Sequence, residues 1–504
     1  MRALIEARGA GAVVETQGET DLEVREIISD SKRVSPGALF VALKGAKLDG
    51  RQFISEAIER GAVAVVLEGP IPRIDVKSDS PATFVRVADS RQALSHLASY
   101  FFENPTAGIR LIGVTGTNGK TTTAFLIHSL LKHAGFSTGL LGTILYDLGK
   151  RKMEATHTTP GLIDLQGFFS EMRSAGITHA VMEVSSHALD QGRVEGCRFD
   201  AAVFTNLTQD HLDYHGTLEG YFASKRKLFD QTDGKQLINI DDPWGRRLQE
   251  ELPSNRTWRY GIERKGDIYP LKIASGLDGT RMTVQTPIGE MEIASSLAGR
   301  YNGYNLLAAV GVGVALGFSK STISSGIASM KGVPGRFEKV DLGQDFTVIV
   351  DYAHTEDALD RLLQAVCDLS PRRVITVFGC GGDRDRGKRA KMGAVSARLS
   401  DKTILTSDNP RSEPPISIIQ EIEAGFKTQK RTTGSGNIPP SSPDYEIVPN
   451  RQEAIRRAIG LAEAGDAVVI AGKGHENYQI LGKERLPFDD REVARTVLAA
   501  RAGG

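Results

Sequence analysis

The chain has 504 residues, 40% of them hydrophobic and 25% charged, with 62 Lys plus Arg against 62 Asp plus Glu. That length gives a prior of roughly three domains, and the apolar content excludes an intrinsically disordered chain. A formal charge of zero argues against a dedicated nucleic-acid binder, so no nucleic-acid partner is expected.

Met1-Arg2-Ala3-Leu4-Ile5-Glu6 reaches an acid before an apolar signal region can form, which points to a cytoplasmic protein. Phe40 to Leu43 and Ala62 to Leu67 read as short buried strands, with a helical segment near Phe53 to Arg60 between them. Pro36-Gly37 and Asp49-Gly50 are turns, and Asn104-Pro105-Thr106 marks a linker. A second block opens with the strand Leu111 to Thr115, a Gly-rich turn, and a helix through Leu126, Leu130 and Leu131 that ends near Gly135. The strands Ala180 to Val184 and Ala201 to Thr205 follow; strands alternating with helices imply a parallel sheet. Leu306 to Phe318 is shorter than the roughly 18 apolar residues a membrane span needs, so a buried helix and no membrane partner are expected. A third block starts near Val333-Pro334-Gly335, with strands at Thr347 to Val350, Val374 to Phe378, Thr403 to Thr406 and Ala467 to Ala471. Thr428 to Asp444, rich in Ser, Thr, Gly and Pro, reads as a surface insert without chemistry. Cys197, Cys367 and Cys380 form no C-x-x-C pair, so neither a disulfide framework nor a zinc ribbon is expected.

Gly116-Thr117-Asn118-Gly119-Lys120-Thr121-Thr122 lies between a strand and a helix. Glycines let the main chain fold tightly so that N–H groups point at phosphate oxygens, and the helix N-terminus adds a favourable dipole. Lys120 then reaches the β- and γ-phosphates and the Thr121 hydroxyl meets Mg²⁺. The strict P-loop pattern needs Gly at position 114, where this chain has Val114, so the loop is a variant. Glu183 ends an apolar strand, where an acidic Mg²⁺ partner belongs beside a P-loop; a helix cap or surface charge is the plainer reading.

Gly116 to Thr122, Glu183 to His187, Asn206 to Asp213, Asn302 to Asn305, Val333 to Glu338 and Asp351 to Thr355 together resemble the Mur ligases, ATP-dependent amino-acid ligases of peptidoglycan synthesis. Asp408-Asn409-Pro410-Arg411 and Gly472 to Glu476 are similar to the diaminopimelate-adding branch of that family. The resemblance implies an α/β fold of three domains. Residues 1–105 would bind UDP, 106–332 would form a P-loop ATPase domain with a parallel sheet, and 333–504 a doubly wound, Rossmann-like amino-acid-binding domain. It implies that ATP activates a carboxylate as an acyl phosphate, which the amine of meso-diaminopimelate attacks. It also implies a monomer that takes ATP, UDP-N-acetylmuramoyl-L-alanyl-D-glutamate and diaminopimelate as its small-molecule partners.

Residue by residue, the resemblance implies catalytic roles for Lys120, Lys225 and His211. Mg²⁺ falls to Thr121, Glu183, His211 and Lys225, with CO₂ bound to Lys225 as a carbamate (N6-carboxylysine); a carbamate turns an ammonium into an anionic oxygen ligand. Within Ala223 to Lys227 the plain reading is a solvated basic helix face, and Lys227 is the alternative to Lys225. Gly116 to Thr122, Asn302, Arg336 and Asp351 are implied to bind ATP, and Ser31, Thr158, Thr159, Ser185, Gln191 and Arg193 the UDP-muramyl dipeptide. Arg389, Asp408, Asn409, Pro410, Arg411, Gly472 and Glu476 are implied to bind diaminopimelate. A bidentate Arg suits its distal carboxylate and an acid suits its distal ammonium. For most charges of Arg384 to Arg389 a salt-bridged surface loop is the reading. His354 is near the reaction centre without an assigned role. A lysine-adding or other Mur-type ligase, a folylpolyglutamate synthetase, and a nucleotide-binding regulator without catalysis remain as alternatives.

Overall fold

The computed structural model of the protein describes residues 1, 13–45, 48–72, 82–276, 278–427 and 444–502. The expectations for residues 2–6 and for the 428–443 insert lie outside the described residues. By internal contacts the chain divides into two compact units. One is Met1–Thr115, Gly135–Val203 and Ala223–Gln236; the other is Gly116–Ala134, Phe204–Phe222 and Leu237–Gly504.

In the first unit, one sheet runs in the spatial order Val13–Gln17, Thr83–Val87, Ala62–Glu68, Ala38–Ala42, Glu26–Ile28. All its pairs are parallel except the one made by Val13–Gln17. Leu39, Val41, Ala64 and Val66 pack with Ala93, Leu94 and Leu97 of the helix Ser90–Phe101. Phe40, Ala42, Val65 and Leu67 pack on the other face with Ile54, Ala57 and Ile58 of the helix Ile54–Glu59. Strands covered on both faces are apolar at every position, which is why these two runs stand out in the sequence.

A second, eight-stranded sheet includes, in spatial order, Phe199–Phe204, Arg110–Thr115, His179–Glu183, Thr138–Leu141, Leu145–Asp147 and Lys152–Glu154. The pairings of His179–Glu183 with Arg110–Thr115 and with Thr138–Leu141 are parallel, as expected, and the last two strands add antiparallel pairs. Glu183 stands opposite Val114, so the acid lies level with the last residues before the phosphate loop.

In the second unit the helix Lys120–His133 follows Gly119, and Gly135 adopts a positive φ just past its end. An antiparallel sheet of Tyr269–Gly276, Gly279–Gln285 and Met291–Ser295 has no counterpart among the expected elements. The alternation of buried Thr280, Met282 and Val284 with more exposed neighbours is its clearest sequence signal. Leu306 lies in the buried helix Arg300–Ala315, and among the described residues no helix is long and apolar enough to cross a membrane.

The last sheet has the order Glu338–Lys339, Thr347–Asp351, Ala467–Ala471, Val374–Phe378, Lys402–Leu405, Asp444–Ile447. It is parallel apart from its first pair. Ile349, Val469, Phe378 and Leu405 face the helices that carry Leu362, Met392 and Ile422. Val348, Val350, Val468 and Ile470 face those that carry Ile455, Ile459 and Leu498. Helices on both faces make this the expected doubly wound domain. Asp351, Gly379, Thr406 and Gly472 all lie at or just past the carboxyl ends of its strands, where ligands bind in such folds.

Candidate active site

The phosphate loop is shaped by contacts that leave no room for a side chain at its glycines. Gly116 has φ +149 and a Cβ there would stand 1.8 Å from Thr205 Oγ1; Gly119 has φ +84 and a Cβ would stand 2.5 Å from Asn305 Oδ1. Asn206 holds the turn, its carbonyl accepting from Thr117 N at 2.8 Å and its Oδ1 from Asn118 N at 3.0 Å. Lys120 Nζ folds back to donate to Gly116 O at 3.0 Å and Thr117 O at 2.8 Å. Arg336 Nη2 donates to Thr121 Oγ1 at 3.2 Å, so a second cation stands at the start of the same helix. Thr122 is buried one residue on. Main-chain donors, a helix N-terminus and two cations form a cradle suited to a polyphosphate.

Around this cradle the second unit gathers a set of ionisable groups. Burial pushes the Asp210 carboxyl up, but His211, His354, Lys120 and Lys388 outweigh it and hold the group below its usual range. His211, at φ +53, sits in a backbone conformation non-glycine residues rarely adopt, with Nε2 3.4 Å from Asp210 Oδ2. Burial, reinforced by Lys388, drives His354 down to about 4 against the pull of Asp210, so its imidazole is neutral at physiological pH. Its Nδ1–H donates to Tyr352 O at 2.9 Å, leaving Nε2 with the lone pair. The Arg336 guanidinium lies over the Tyr352 ring at 4.5 Å, His354 meets that ring edge-on at 4.6 Å, and His475 lies tilted to it at 5.0 Å. Asp357, to which no motif draws attention, accepts from Asn118 Nδ2 at 2.7 Å and from Thr208 Oγ1 at 3.3 Å.

Two of the expected ATP ligands are engaged with main chain. Asn302 Nδ2 donates to Ala298 O at 2.7 Å. Asp351 accepts from Phe337 N at 2.7 Å and Ala353 N at 2.8 Å; burial raises its carboxyl despite Arg336 and these donors.

The expected amino-acid residues converge at the carboxyl ends of the last sheet. Asn409 Nδ2 and Lys473 Nζ donate to Glu476 Oε2 at 2.9 Å and 3.1 Å, and Lys473 also reaches Asn409 Oδ1 at 3.0 Å. Burial raises the Glu476 carboxyl, opposed by Lys473. A Cβ on Gly472 would stand 2.7 Å from Asp408 Oδ2. Pro410 leads into Arg411, whose φ is +53 and whose Nη1 donates to Gly382 O at 2.7 Å. The hairpin Tyr478–Leu481/Glu484–Pro487 straps this segment, with Ile480 N donating to Asn409 Oδ1 at 2.9 Å and Gln479 Nε2 to Asp408 O at 2.7 Å.

Arg389 corrects the expectation that it binds the ligand carboxylate. Its side chain is 0% exposed and already paired: Nη1 with Glu413 at 2.9 Å and Glu421 at 3.0 Å, Nη2 with Glu413 at 2.8 Å and Gly381 O at 3.2 Å. It holds the Gly381 turn from beneath. Arg384, which the sequence places in a salt-bridged surface loop, is the exposed guanidinium beside that turn. A Cβ on Gly381 would meet Arg411 Nη1 at 3.0 Å and Arg384 Cγ at 3.7 Å.

In the first unit Glu183 is fully buried and accepts from Thr143 N at 2.8 Å and Thr143 Oγ1 at 3.0 Å. Thr158 shares a 3.1 Å bond with that same hydroxyl. Thr159 Oγ1 donates to Glu183 O at 2.8 Å and accepts from Ser185 N at 3.0 Å. Gln191 Oε1 accepts from Arg193 Nη2 at 2.6 Å, and Arg193 Nη1 reaches Thr159 O at 3.2 Å. A cavity of about 210 Å³ adjoins Gln191 and Arg193; its lining includes Asp30, Arg33, Arg91 and Asp164. Neighbouring Ser31 is buried with its hydroxyl on Glu56 Oε2 at 2.8 Å. Arg33 and Arg91 add two cations to the lining of this cavity. Lys225 is 1% exposed on the helix Leu218–Asp230, whereas Lys227 is exposed and paired with Asp190 at 3.2 Å. The solvated-face reading therefore describes Lys227 and not Lys225.

Among the described residues no three His, Cys, Asp or Glu side chains form a metal cage. Beside the cradle Thr121 offers a hard oxygen donor, the kind Mg²⁺ takes alongside substrate phosphates and waters. These features define an α/β protein with a cradle suited to a polyphosphate and a separate cluster of buried charge at the carboxyl ends of the last sheet.

Models of the Mur ligase family match residues 23–102 (catalytic domain), 114–313 (middle domain) and 335–474 (glutamate ligase domain). The chain belongs to the Mur ligase family. It is 48% identical to the UDP-N-acetylmuramoyl-L-alanyl-D-glutamate–2,6-diaminopimelate ligase of Solibacter usitatus over 94% of each chain. It is 45% identical to the enzyme of the same name from Geobacillus thermodenitrificans over 98% of each. A solved structure of a ligase of that name superposes with TM-score 0.67 at 32% identity, covering 96% of this chain and 97% of the other.

Proposed function

We propose that the protein is an ATP-dependent ligase that adds meso-diaminopimelate to UDP-N-acetylmuramoyl-L-alanyl-D-glutamate in cytoplasmic peptidoglycan synthesis. Residues 1–105 take the uridine end, 106–332 the ATP, and 333–504 the amino acid. The observation that carries the reading is one seat holding both the Arg411 guanidinium and the acids Asp408 and Glu476. Diaminopimelate alone among the alternatives brings a distal carboxylate and a distal ammonium together; lysine has no such carboxylate. Arg384 stands in for Arg389 as the second guanidinium beside that carboxylate.

The reaction joins two anions before it makes an amide. Lys120 and the loop N–H groups hold the β- and γ-phosphates, and Arg336 draws charge from the phosphoryl group as it moves. The γ-carboxylate oxygen of D-Glu attacks the γ-phosphorus, ADP leaves, and an acyl phosphate forms. The amine then adds to the acyl carbon, a proton leaves the nitrogen, and the tetrahedral intermediate expels phosphate. His354 carries an Nε2 lone pair, but with burial holding it down to about 4 it is only a weak base for that proton. Asp210 keeps His211 oriented and balances Lys120. Thr121, Glu183, His211 and Lys225, the last as a carbamate, are the residues that would hold Mg²⁺, which would supply charge neutralisation for the two anions. Arg33, Arg91 and Arg193 line the cavity that suits the diphosphate of the UDP-sugar.

The test gives the purified protein ATP, the UDP-muramyl dipeptide and either diaminopimelate or lysine, and follows ADP release and product mass. Amide product with a strong preference for diaminopimelate is expected. Preference for lysine ends the specificity claim; nucleotide binding without product ends the ligase reading.

A further inference from the structure

Arg451 is the first residue of the helix Arg451–Leu461, and Asp490 the first of the helix Asp490–Ala502. Both side chains are 0% exposed, and they form a bidentate pair: Nε to Oδ1 and Nη2 to Oδ2, each at 2.7 Å. An arginine is unfavourable here twice over, because it is stripped of water and because a cation opposes the dipole at a helix N-terminus. A well-packed apolar pair would stabilise the fold at least as well, so stability alone does not account for the ions.

The arginine abuts the amino-acid seat. Its Nη2 also donates to Ala471 O at 3.0 Å, which fixes the residue before Gly472. Gly472 N donates to Asp351 O at 3.1 Å and its α-carbon is pressed against Asp408, where a Cβ would approach Oδ2 to 2.7 Å. Burial lowers the Arg451 guanidinium, but the pull of Asp490, to which Asp408 and Glu476 add, raises it. Two buried polar atoms in this layer have no protein partner, Arg451 Nη1 and Ser407 Oγ. Ser407 N is tied to Pro449 O at 3.3 Å, on the turn that leads into Arg451.

We propose that Arg451, held by Asp490, is a positioning residue for the amino-acid seat, fixing Gly472 against Asp408 and supplying the buried cation behind Asp408 and Glu476. Asp408 and Glu476 are thereby held in place for a distal ammonium by groups that never touch it. The inference rests on the diaminopimelate reading above.

Three enzymes decide it: wild type, Arg451→Lys, and the paired apolar variant Arg451→Met/Asp490→Leu, with KM measured separately for ATP, UDP-muramyl dipeptide and diaminopimelate, and thermal melts run alongside. Arg451→Lys is expected to raise the KM for diaminopimelate about ten-fold and to leave the other two within about two-fold. The double variant is expected to melt no lower than wild type yet keep the raised diaminopimelate KM. A parallel rise of all three KM values, or a wild-type diaminopimelate KM in the folded double variant, reduces the pair to a fold element and overturns the proposal. Wild-type enzyme that turns over no diaminopimelate overturns the functional reading and this inference with it, whereas unaffected variants of an active wild type overturn the inference alone.

Discussion

The phosphate loop is built from main chain, and the amino-acid seat is built from buried charge. At Gly116 to Thr122 the shape comes from Gly116, Gly119 and the clamp of Asn206, and the ionic side chains Lys120 and Arg336 reach in from partly open positions. At Asp408 to Glu476 the shape comes from ions that hold one another: Lys473 with Glu476, Arg389 with Glu413 and Glu421, Arg451 with Asp490. The difference separates function from stability in opposite ways. A charge removed from the loop leaves the fold intact and removes chemistry. A charge removed from the fully buried Arg451–Asp490 pair leaves its partner unpaired in a dry layer, and the fold bears the cost.

The sharpest break of that contrast is Lys120→Ala. Lys120 donates to the carbonyls of Gly116 and Thr117 in its own loop, and the proposed mechanism uses its charge on the migrating phosphoryl group. Turnover should fall on the order of 10³-fold with the melting temperature nearly unchanged. ADP release at saturating substrates and a thermal melt check it; a melt that collapses together with activity would make the loop a stability element like the seat.

Arg389→Met and Arg411→Ala divide the seat itself. Arg389 is fully buried beneath Glu413, whose carboxyl its hydrogen bonds pull down to about 2. Its loss should lower unfolding free energy by about 2 kcal/mol, because Glu413 and Glu421 stay partly solvated, read by denaturant titration. Arg411 is partly open, and its guanidinium bonds to the carbonyls of Gly382 and Asn409. Its loss should cost about 1 kcal/mol or less of stability but raise the diaminopimelate KM some ten-fold or more, with the ATP KM little moved. Equal stability losses for the two arginines would erase the distinction drawn between them.

The same contrast explains what is legible in the sequence. A loop made of main chain announces itself through the only residue that can make it, so Gly116 and Gly119 with Lys120 and Thr121 are readable from the residues alone. The doubly covered strands Phe40 to Leu43 and Ala467 to Ala471 are readable because both faces are apolar. Arg389 is not, because its partners Glu413 and Glu421 lie 24 and 32 residues further along the chain, and only folding shows that its guanidinium is spent on them. Lys225 and Lys227 look alike as text; burial of one and the Asp190 contact of the other tell them apart. Asp357 carries no signal at all, being one acid among several at the start of a helix, Glu356–Cys367.

Asp357 also supplies the smallest of the tests. The Asn118 side chain reaches out of the loop, donating Nδ2 to Asp357 Oδ2 at 2.7 Å, while Arg361 Nε holds the same carboxylate at 3.0 Å and 3.1 Å. If the loop is shaped by main chain, this bond adds to stability without shaping the loop. Asn118→Ala should then cost about 1 kcal/mol in denaturation, and a double-mutant cycle with Asp357→Ala should return a coupling of similar size. Arg361 makes the acid tolerable after Asn118 is removed, since the carboxylate keeps a cation partner. The ATP KM should move by no more than a few-fold, because Asn206 still clamps the Thr117 and Asn118 N–H groups from the other side. A coupling several times larger, or loss of ATP binding in Asn118→Ala, would show that the loop depends on a side-chain ion contact after all, and that the two regions differ in degree and not in kind.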